Sequence, residues 1–163
     1  MSNLAGKYLS FELGREEYAI RVAQVREIMG VQEITAVPQM PSHVLGVINL
    51  RGRVIPVVDL RLKFGLDSAE FTPRTCIVVV QIPGEAGVMQ MGVIVDAVSE
   101  VLTLAPADIE NPPDFGPDVN MPYLLGLAKV KGRLKILLAI EDLLNTSGLQ
   151  TAPGLANSGL VAA

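Results

Sequence analysis

A short hairpin pattern and its repetition constrain the fold of this chain more than any other feature. Residues 45–60 read LGVINLRGRVIPVVDL, in which two apolar runs flank the polar pair Arg51-Gly52. Apolar runs separated by a two-residue turn that contains Gly predict a β-hairpin. Residues 125–134 (LGLAKVKGRL) repeat the pattern 80 positions later, basic-Gly-Arg turn included. The chain is therefore predicted to use one hairpin unit twice.

A second pair of segments recurs in the same order along the chain. Residues 92–102 (GVIVDAVSEVL) match residues 19–29 (AIRVAQVREIM) at a spacing of 73 positions. An insertion in the second Pro-rich connection, residues 106–122, accounts for the change of spacing from 73 to 80. Because the predicted strands are too short for a flat sandwich, we expect two small β-barrels packed side by side.

The remaining segments fit this mostly β architecture. Strands are predicted at 7–13, 17–21, 25–29, 76–82 and 88–95, and short helical turns at 22–24, after Asp59 and at 141–146. The two lobes are expected at about 7–65 and 75–140, with strands able to cross between them. Residues 147–163 are small and polar, which predicts a disordered, dispensable tail.

Composition and charge exclude several classes of protein. Half of the residues are apolar but only 4% are aromatic, which predicts an aliphatic, strand-rich core. The formal charge of −4 argues against nucleic-acid binding, because that needs clustered Lys and Arg. No apolar window is long enough for a membrane-spanning helix, and the N-terminus lacks the pattern of a signal peptide. We therefore expect a cytoplasmic protein that does not insert into the membrane.

The residues that carry chemistry form no catalytic or metal-binding pattern, and we expect no cofactor. His43 is the only histidine and Cys76 the only cysteine. A lone His without a nearby Cys, Asp or Glu cluster is a poor metal site, and Cys76 opens an apolar strand where it packs as a small hydrophobe. Asp59 and Asp96 end apolar runs, where capping a following turn is the commoner role. These features favour a binding protein over an enzyme.

Two other classes remain open from the residues alone. A small enzyme using Cys76 or Asp96 in a cleft between the barrels is one alternative. A generic SH3-like peptide-binding module is the other, although the chain lacks the exposed aromatic groove that Pro-rich ligands need, with no Trp and three Tyr.

Several motifs together give the sequence a family resemblance. They are EYAI at 17–20 leading into VREI at 25–28, GVINLRG at 46–52 with IPVVDLR at 55–61, GVIVD at 92–96, and YLLG at 123–126. In this combination the chain resembles the CheW family, adaptors that link chemoreceptors to the histidine kinase CheA. The resemblance implies a CheW-like domain over residues 1–146 made of two SH3-like five-stranded β-barrel lobes. It also implies a location at the membrane-associated receptor array, reached through the partners.

The resemblance implies a receptor-binding groove between the lobes. The positions that match the family's receptor contacts are Val25, Glu27, Ile28, Arg51 and Val101. An aliphatic groove suits a receptor helix that presents apolar residues at i, i+3, i+4 and i+7, and the planar head of Arg51 suits carboxylates or helix-end carbonyls. In an uninterrupted strand, however, Val25 and Ile28 point to opposite faces and Glu27 shares the face of Val25.

The kinase contacts implied by the resemblance lie elsewhere. The first contact with the regulatory domain of CheA is expected on strands of one lobe, where Gly46, Val47 and Arg53 are the candidate residues. Phe115 matches an apolar position in a second contact that closes rings in the array, but the usual basic residue five positions earlier is Glu110 here. The same adaptor role in a chemosensory pathway with another output, such as pili, is an alternative.

Overall fold

The computed structural model describes residues 4–84, 87–113 and 122–145, and within this part the chain is mostly β-strand. The strands are β1 (Gly6–Leu13), β2 (Glu16–Arg21), β3 (Val25–Gly30), β4 (Val44–Leu50), β5 (Arg53–Asp59), β6 (Cys76–Gly84), β7 (Gly87–Val95), β8 (Ala97–Leu104), β9 (Ile109–Glu110), β10 (Leu124–Val130) and β11 (Arg133–Leu138). The helices are α1 (Leu60–Lys63) and α2 (Ile140–Asn145), and a 3-10 turn at Val22–Gln24 joins β2 to β3. Phe115 and the predicted tail at 147–163 lie outside the described residues.

The strands form two sheets, each of which makes one lobe. The five-stranded lobe has the order β3-β6-β7-β5-β4, and the six-stranded lobe the order β8-β1-β2-β11-β10-β9. In the five-stranded lobe, a bridge from Thr35 to Val47 brings the segment after β3 onto β4. In the six-stranded lobe, β9 follows β8 and pairs with β10 in the same way. The prediction of a mostly β fold with two lobes is confirmed.

The lobes are not contiguous pieces of the chain. β1 and β2 belong to the six-stranded lobe together with strands drawn from residues 97–138, whereas residues 25–95 supply the whole five-stranded lobe. The approximate lobe ranges of 7–65 and 75–140 therefore do not coincide with the two sheets. The physical reason is that β2 pairs in parallel with β11 rather than with its sequence neighbour β3.

The strand pairing reveals a pseudo-two-fold relation between the repeats. β5 pairs in parallel with β7 at Val57↔Gly92, and β11 pairs in parallel with β2 at Leu137↔Ala19. Leu137 lies 80 positions after Val57, and Gly92 lies 73 positions after Ala19, as in the sequence repeats. The relation carries each repeat onto the other. Each repeat therefore contributes its first hairpin to the lobe that holds the last hairpin of the other repeat: β1–β2 joins β10–β11, and β6–β7 joins β4–β5.

Three hydrophobic clusters hold these sheets. One lies within the five-stranded lobe around Ile48 and Val57, and a second lies within the six-stranded lobe around Tyr8 and Leu137. The third contains residues of both sheets, such as Phe11 from β1 and Val80 from β6, and we call it the shared core. Because burying apolar surface is the main favourable term in folding, the shared core fixes the lobes against each other.

Candidate functional site

A β-bulge in β3 determines which of its side chains face the shared core. Val25 lies opposite Val80 and Glu27 lies opposite Val79, so one extra residue, Arg26, is accommodated between them. Residues directly opposite each other on paired strands share a face of the sheet, and a bulge shifts the alternation by one residue.

The bulge places Val25 and Ile28 on one face of β3. Ile28 lies opposite Val78, which belongs to the shared core together with Val80. The alternation expected for an uninterrupted strand does not apply to β3, because after the bulge Val25 and Ile28 point to the same side and Glu27 points to the other. Glu27 instead lies on the opposite face of β3, across from the buried Val79, with its side chain 29% exposed.

The same bulge recurs in β8, 73 positions later. Val98 lies opposite Phe11 and Glu100 lies opposite Ser10, so Ser99 occupies the position that corresponds to Arg26. Val101 lies opposite Leu9, a residue of the shared core. Val98 and Val101 therefore face the space between the lobes, as Val25 and Ile28 do.

These four aliphatic side chains form what we call the inter-lobe seam. It consists of Val25 and Ile28 from β3, and Val98 and Val101 from β8. Val25 and Val98 are partly buried and pack against the shared core. Ile28 keeps 43% of its surface exposed and Val101 keeps 58%. Because the exposed pair continues the face of a buried core, it offers apolar surface to a partner without any rearrangement.

Arg51 lies on the turn between β4 and β5, and it contacts β3 through Glu27, the residue before Ile28. Arg51 and Gly52 both have positive φ, as a two-residue type I′ turn requires, and the Gly52 N–H donates to Asn49 Oδ1 at 2.9 Å. The predicted hairpin turn is confirmed. The guanidinium of Arg51 forms an ion pair with Glu27 while its side chain stays 73% exposed. The fold thus brings two of the sequence-predicted residues into contact.

A basic cleft surrounds this ion pair. It has a volume of about 270 Å³ and is lined by Arg26, Glu27, Leu50, Arg51, Arg53 and Gln90. Three of these residues are arginines and one is a glutamate, so the cleft carries an excess of positive charge. Arg53, which the sequence assigned to the kinase side, lines the same cleft as Arg51.

A corresponding ion pair that the sequence reasoning missed lies on the six-stranded lobe. Lys131 occupies the turn between β10 and β11 with positive φ, and its Nζ donates to Glu100 Oε1 at 3.3 Å. Lys131 and Glu100 are the repeat equivalents of Arg51 and Glu27. The repeated basic-Gly-Arg turn and the Glu100/Glu27 identity were the signals from which this pair could have been found.

Glu100 also lies next to a buried polar cluster with no counterpart in the other lobe. Lys135 and Glu17 form an ion pair with side chains only 4% and 7% exposed, and Lys135 Nζ donates to Ser10 Oγ at 3.1 Å. Arg133 Nη1 lies 2.5 Å from Glu17 Oε2, and Lys135 Nζ lies 3.7 Å from Glu100 Oε2. The hydrogen bond from Lys135 lowers the pKa of Glu17, against the opposing effect of burial.

Gly46 has a structural role that its sequence pattern did not reveal. Its φ is +148°, and a Cβ built on it would lie 2.0 Å from the carbonyl oxygen of Thr35. This close approach allows Thr35 and Val47 to exchange two backbone hydrogen bonds of 2.8 and 2.9 Å. Gly126, 80 positions later, meets the carbonyl of Glu110 in the same way, at 2.8 Å from its built Cβ.

The residues considered for catalysis have structural contacts. Asp96 accepts hydrogen bonds from Arg61 Nη2 and from the Gly14 N–H, both at 2.8 Å. Burial acts to raise the pKa of Asp96, but these hydrogen bonds outweigh it and the pKa is lowered. Asp59 caps α1 by accepting the Arg61 N–H at 3.0 Å. The half-buried Cys76 directs its thiol to the Arg74 carbonyl at 3.3 Å.

Within the described ranges, no group of three or more His, Cys, Asp or Glu side chains is arranged to hold a metal ion. None of the helices described is long and apolar enough to cross a membrane.

Two β lobes joined through a shared core, with an apolar seam at the surface, fit the class of small scaffold modules. Comparison with known proteins agrees with this class. The family model described as a CheW-like domain matches residues 7–148. The chain is 35% identical to a chemotaxis protein CheW of Klebsiella aerogenes over 163 residues, covering 97% of this chain and 96% of that protein. It is 35% identical to CheW of Rhizobium meliloti over 142 residues, covering 87% and 89%.

A solved structure agrees with the fold as well. The scaffolding protein TtCheW from Thermoanaerobacter tengcongensis has a TM-score of 0.76 and 32% identity to this chain, covering 89% of this chain and 96% of that one. The chain belongs to the CheW-like family, and the resemblance found in the sequence is confirmed. It is a scaffold-type chemotaxis protein.

Proposed function

We propose that this chain couples the cytoplasmic tip of chemoreceptors to the histidine kinase CheA. The observation that carries the proposal is the inter-lobe seam, where Ile28 and Val101 extend the shared core to the surface, with Arg51 paired to Glu27, the residue before Ile28 in β3. An amphipathic receptor helix buries its apolar stripe in such a groove. Arg51, with a mostly exposed guanidinium, then binds polar groups at the edge of that helix.

The kinase is proposed to bind the strands of the β4–β5 hairpin through its regulatory domain. Val47, Arg53 and the backbone around Gly46 lie on the β4–β5 hairpin of the five-stranded lobe. Phe115, outside the described residues, is proposed for the second contact. Glu110, with no basic residue in its place, requires complementary charge on the kinase side of that contact.

Modest affinity is sufficient for this role. A groove that buries on the order of 1,000 Å² falls in the range of transient interfaces, and micromolar binding corresponds to about −8 kcal/mol. Multivalent assembly of receptors, adaptor and kinase then supplies the stability of an array. The proposal places the protein in the cytoplasm, held at the membrane through its receptor partner.

The decisive experiment compares two matched substitutions in arrays reconstituted with receptor and kinase. Ile28→Asp puts a charge into the seam, and Phe71→Asp does so at a residue of similar exposure, 46% against 43%, in the connection between α1 and β6. We expect Ile28→Asp to weaken receptor binding at least tenfold, about 1.4 kcal/mol, and to abolish kinase stimulation. Phe71→Asp is expected to behave as wild type.

Arg51→Ala is expected to reduce receptor coupling while the protein stays folded and still binds the kinase. Equal stimulation by the wild-type, Ile28→Asp and Arg51→Ala proteins would exclude the seam as the receptor site. Co-purification with a tagged copy from cells identifies the receptor and kinase. It also separates a role in flagellar chemotaxis from one in a chemosensory pathway with another output.

A further inference from the structure

The two halves of the seam are related by internal symmetry but differ in charge. Each half has two aliphatic residues on a bulged edge strand and an ion pair from that strand to a basic-Gly turn. A groove with perfect two-fold symmetry binds a helix equally well in the two directions that the symmetry relates. Any preference for one direction must therefore come from residues at which the halves differ.

The first difference is at the bulge. Arg26 in β3 corresponds to Ser99 in β8, and both residues are exposed. Arg26 lines the basic cleft together with Glu27 and Arg51. The five-stranded half therefore carries one additional cation at a position where the other half has a neutral hydroxyl.

The second difference concerns the arginine that directly follows the basic-Gly turn in each half. Arg53 corresponds to Arg133 in the repeat, and Gln90 corresponds to Glu17. Arg133 forms an ion pair with Glu17, which it shares with Lys135, and 2.5 Å separates Arg133 Nη1 from Glu17 Oε2. Arg53 lies in the cleft with the uncharged Gln90 instead. Among the described residues, neither Arg53 nor Arg26 forms an ion pair with a carboxylate.

The cleft on the five-stranded lobe thus holds three arginines against Glu27 alone. Its counterpart has two carboxylates, Glu100 and Glu17, for the three cations Lys131, Arg133 and Lys135, so its excess of positive charge is smaller. Arginine is suited to a second, bidentate carboxylate because its planar head presents five donors, and one glutamate does not use them all. The chemistry of this cleft favours an incoming carboxylate. Its residue Glu27 directly precedes the seam residue Ile28 in β3, on the opposite face of the strand.

We propose that Arg26, Arg51 and Arg53 bind an acidic side chain of the receptor tip helix and so fix the direction in which that helix lies in the seam. This inference rests on the proposed receptor coupling. It adds two residues, Arg26 and Arg53, that determine specificity, and it moves Arg53 from the kinase side to the receptor side of the protein.

The test measures binding of a soluble two-helix fragment of a chemoreceptor tip to the full chain. Arg26→Ser gives β3 the residue of the equivalent position in β8, and Gln90→Glu gives Arg53 the carboxylate that Arg133 has. Each variant is expected to bind the fragment about two- to fivefold more weakly, and the double variant about five- to twentyfold. The losses are expected to shrink between 50 and 200 mM salt, as ionic screening requires.

Two controls isolate the cleft from net charge. Arg15→Ser removes the same charge at the exposed β1–β2 turn, and it is expected to bind as wild type. Replacing the acidic residues of the fragment by their amides is expected to abolish the difference between wild type and Arg26→Ser. Circular dichroism and thermal unfolding verify that each variant is folded.

The outcomes separate this inference from the proposed function. If Arg26→Ser and Gln90→Glu bind as wild type while Ile28→Asp does not, the acid-accepting cleft is wrong and receptor coupling stands. If Ile28→Asp also binds as wild type, the seam is not the receptor site and both proposals fail.

Direction is measured with a nitroxide at one end of the fragment. In NMR spectra of the full chain, we expect the nitroxide to broaden the amide signal of one turn glycine, Gly52 or Gly132, strongly and that of the other weakly. Because these two turns are symmetry equivalents, the contrast between them reports the direction of the bound helix. The combined variant Arg26→Ser, Gln90→Glu, Ser99→Arg is expected to reduce that contrast. Equal broadening of both turns in the wild-type protein would overturn the assignment of direction.

Discussion

Replacing Gly46 by Ala tests whether this residue is required for the closure of the five-stranded lobe. Two terms contribute to the expected decrease in the free energy of unfolding. A residue other than Gly at positive φ costs about 1–2 kcal/mol. The new Cβ also lies 2.0 Å from the Thr35 oxygen, so the Thr35 strand must move away by more than 1 Å.

That movement breaks the two hydrogen bonds between Thr35 and Val47, which measure 2.8 and 2.9 Å. Each such bond contributes about 0.5–1.5 kcal/mol net. Gly46→Ala is therefore expected to lower the free energy of unfolding by roughly 2–5 kcal/mol. For a domain whose total stability is about 5–15 kcal/mol, this is a large fraction.

Gly52→Ala provides the matched control. Gly52 also has positive φ, +86°, but a Cβ built on it meets nothing within 4 Å. Its substitution is expected to cost only the backbone term of about 1–2 kcal/mol. Both variants are measured by urea unfolding followed by far-ultraviolet circular dichroism, because the chain has no Trp. Equal urea midpoints for Gly46→Ala and Gly52→Ala would refute the argument that the approach of Thr35 requires a glycine at position 46. The proposed kinase contact would then be the only role left for Gly46.

Three further outcomes follow from the buried charges and the thiol. Lys135→Ile leaves Glu17 buried with Arg133 as its only cationic partner and is expected to lower the free energy of unfolding by about 3–5 kcal/mol. The double variant Glu17→Gln, Lys135→Ile has the residues found at the equivalent positions of the other lobe, Gln90 and Ile55. In urea unfolding it should recover most of the stability lost in Lys135→Ile. Because the pKa of Glu17 is lowered in the folded chain, its stabilising contribution is complete above its ordinary pKa of 4.5 and lost as pH falls through the folded value; acid titration of the double variant should therefore show a smaller loss below pH 4.5. Cys76→Ser is expected to keep wild-type kinase stimulation, and loss of stimulation in a folded Cys76→Ser protein would revive the thiol-enzyme alternative.

Local sequence signals were sufficient to predict most of the elements. The turn at Arg51-Gly52 and the 3-10 turn at Val22–Gln24 lie where the pattern put them. These features depend on short-range chemistry, such as a Gly that tolerates positive φ. The apolar run that begins at Cys76 likewise predicted a strand buried on both faces, and β6 contributes Ile77 and Val78 to different clusters.

The composition of the seam could not be predicted from strand periodicity. Alternation puts Val25 and Ile28 on opposite faces, and only the pairing of β3 with β6 shows that Arg26 bulges and restores them to one face. The register of a strand depends on its partner, which is about 50 residues away in the chain. A signal did exist, because apolar residues at i and i+3 recur in both copies, as Val25 and Ile28 and as Val98 and Val101. That spacing is incompatible with a regular strand, and its repetition indicates a bulge in each.

The exchange of hairpins explains why a symmetric pair of lobes gives a preformed site. Since β1 and β2 complete the lobe built from residues 97–138, no cut between the repeats yields a contiguous piece that holds all strands of the six-stranded lobe. The two edges of the seam, β3 and β8, are each paired to a strand that contributes to the shared core, β6 and β1. In the proposed complex the receptor helix meets two edges that folding has already fixed, and binding does not have to order the lobes first. Preorganisation of this kind lowers the cost of association, which supports the proposal that a seam with only two well-exposed aliphatic side chains binds a helix.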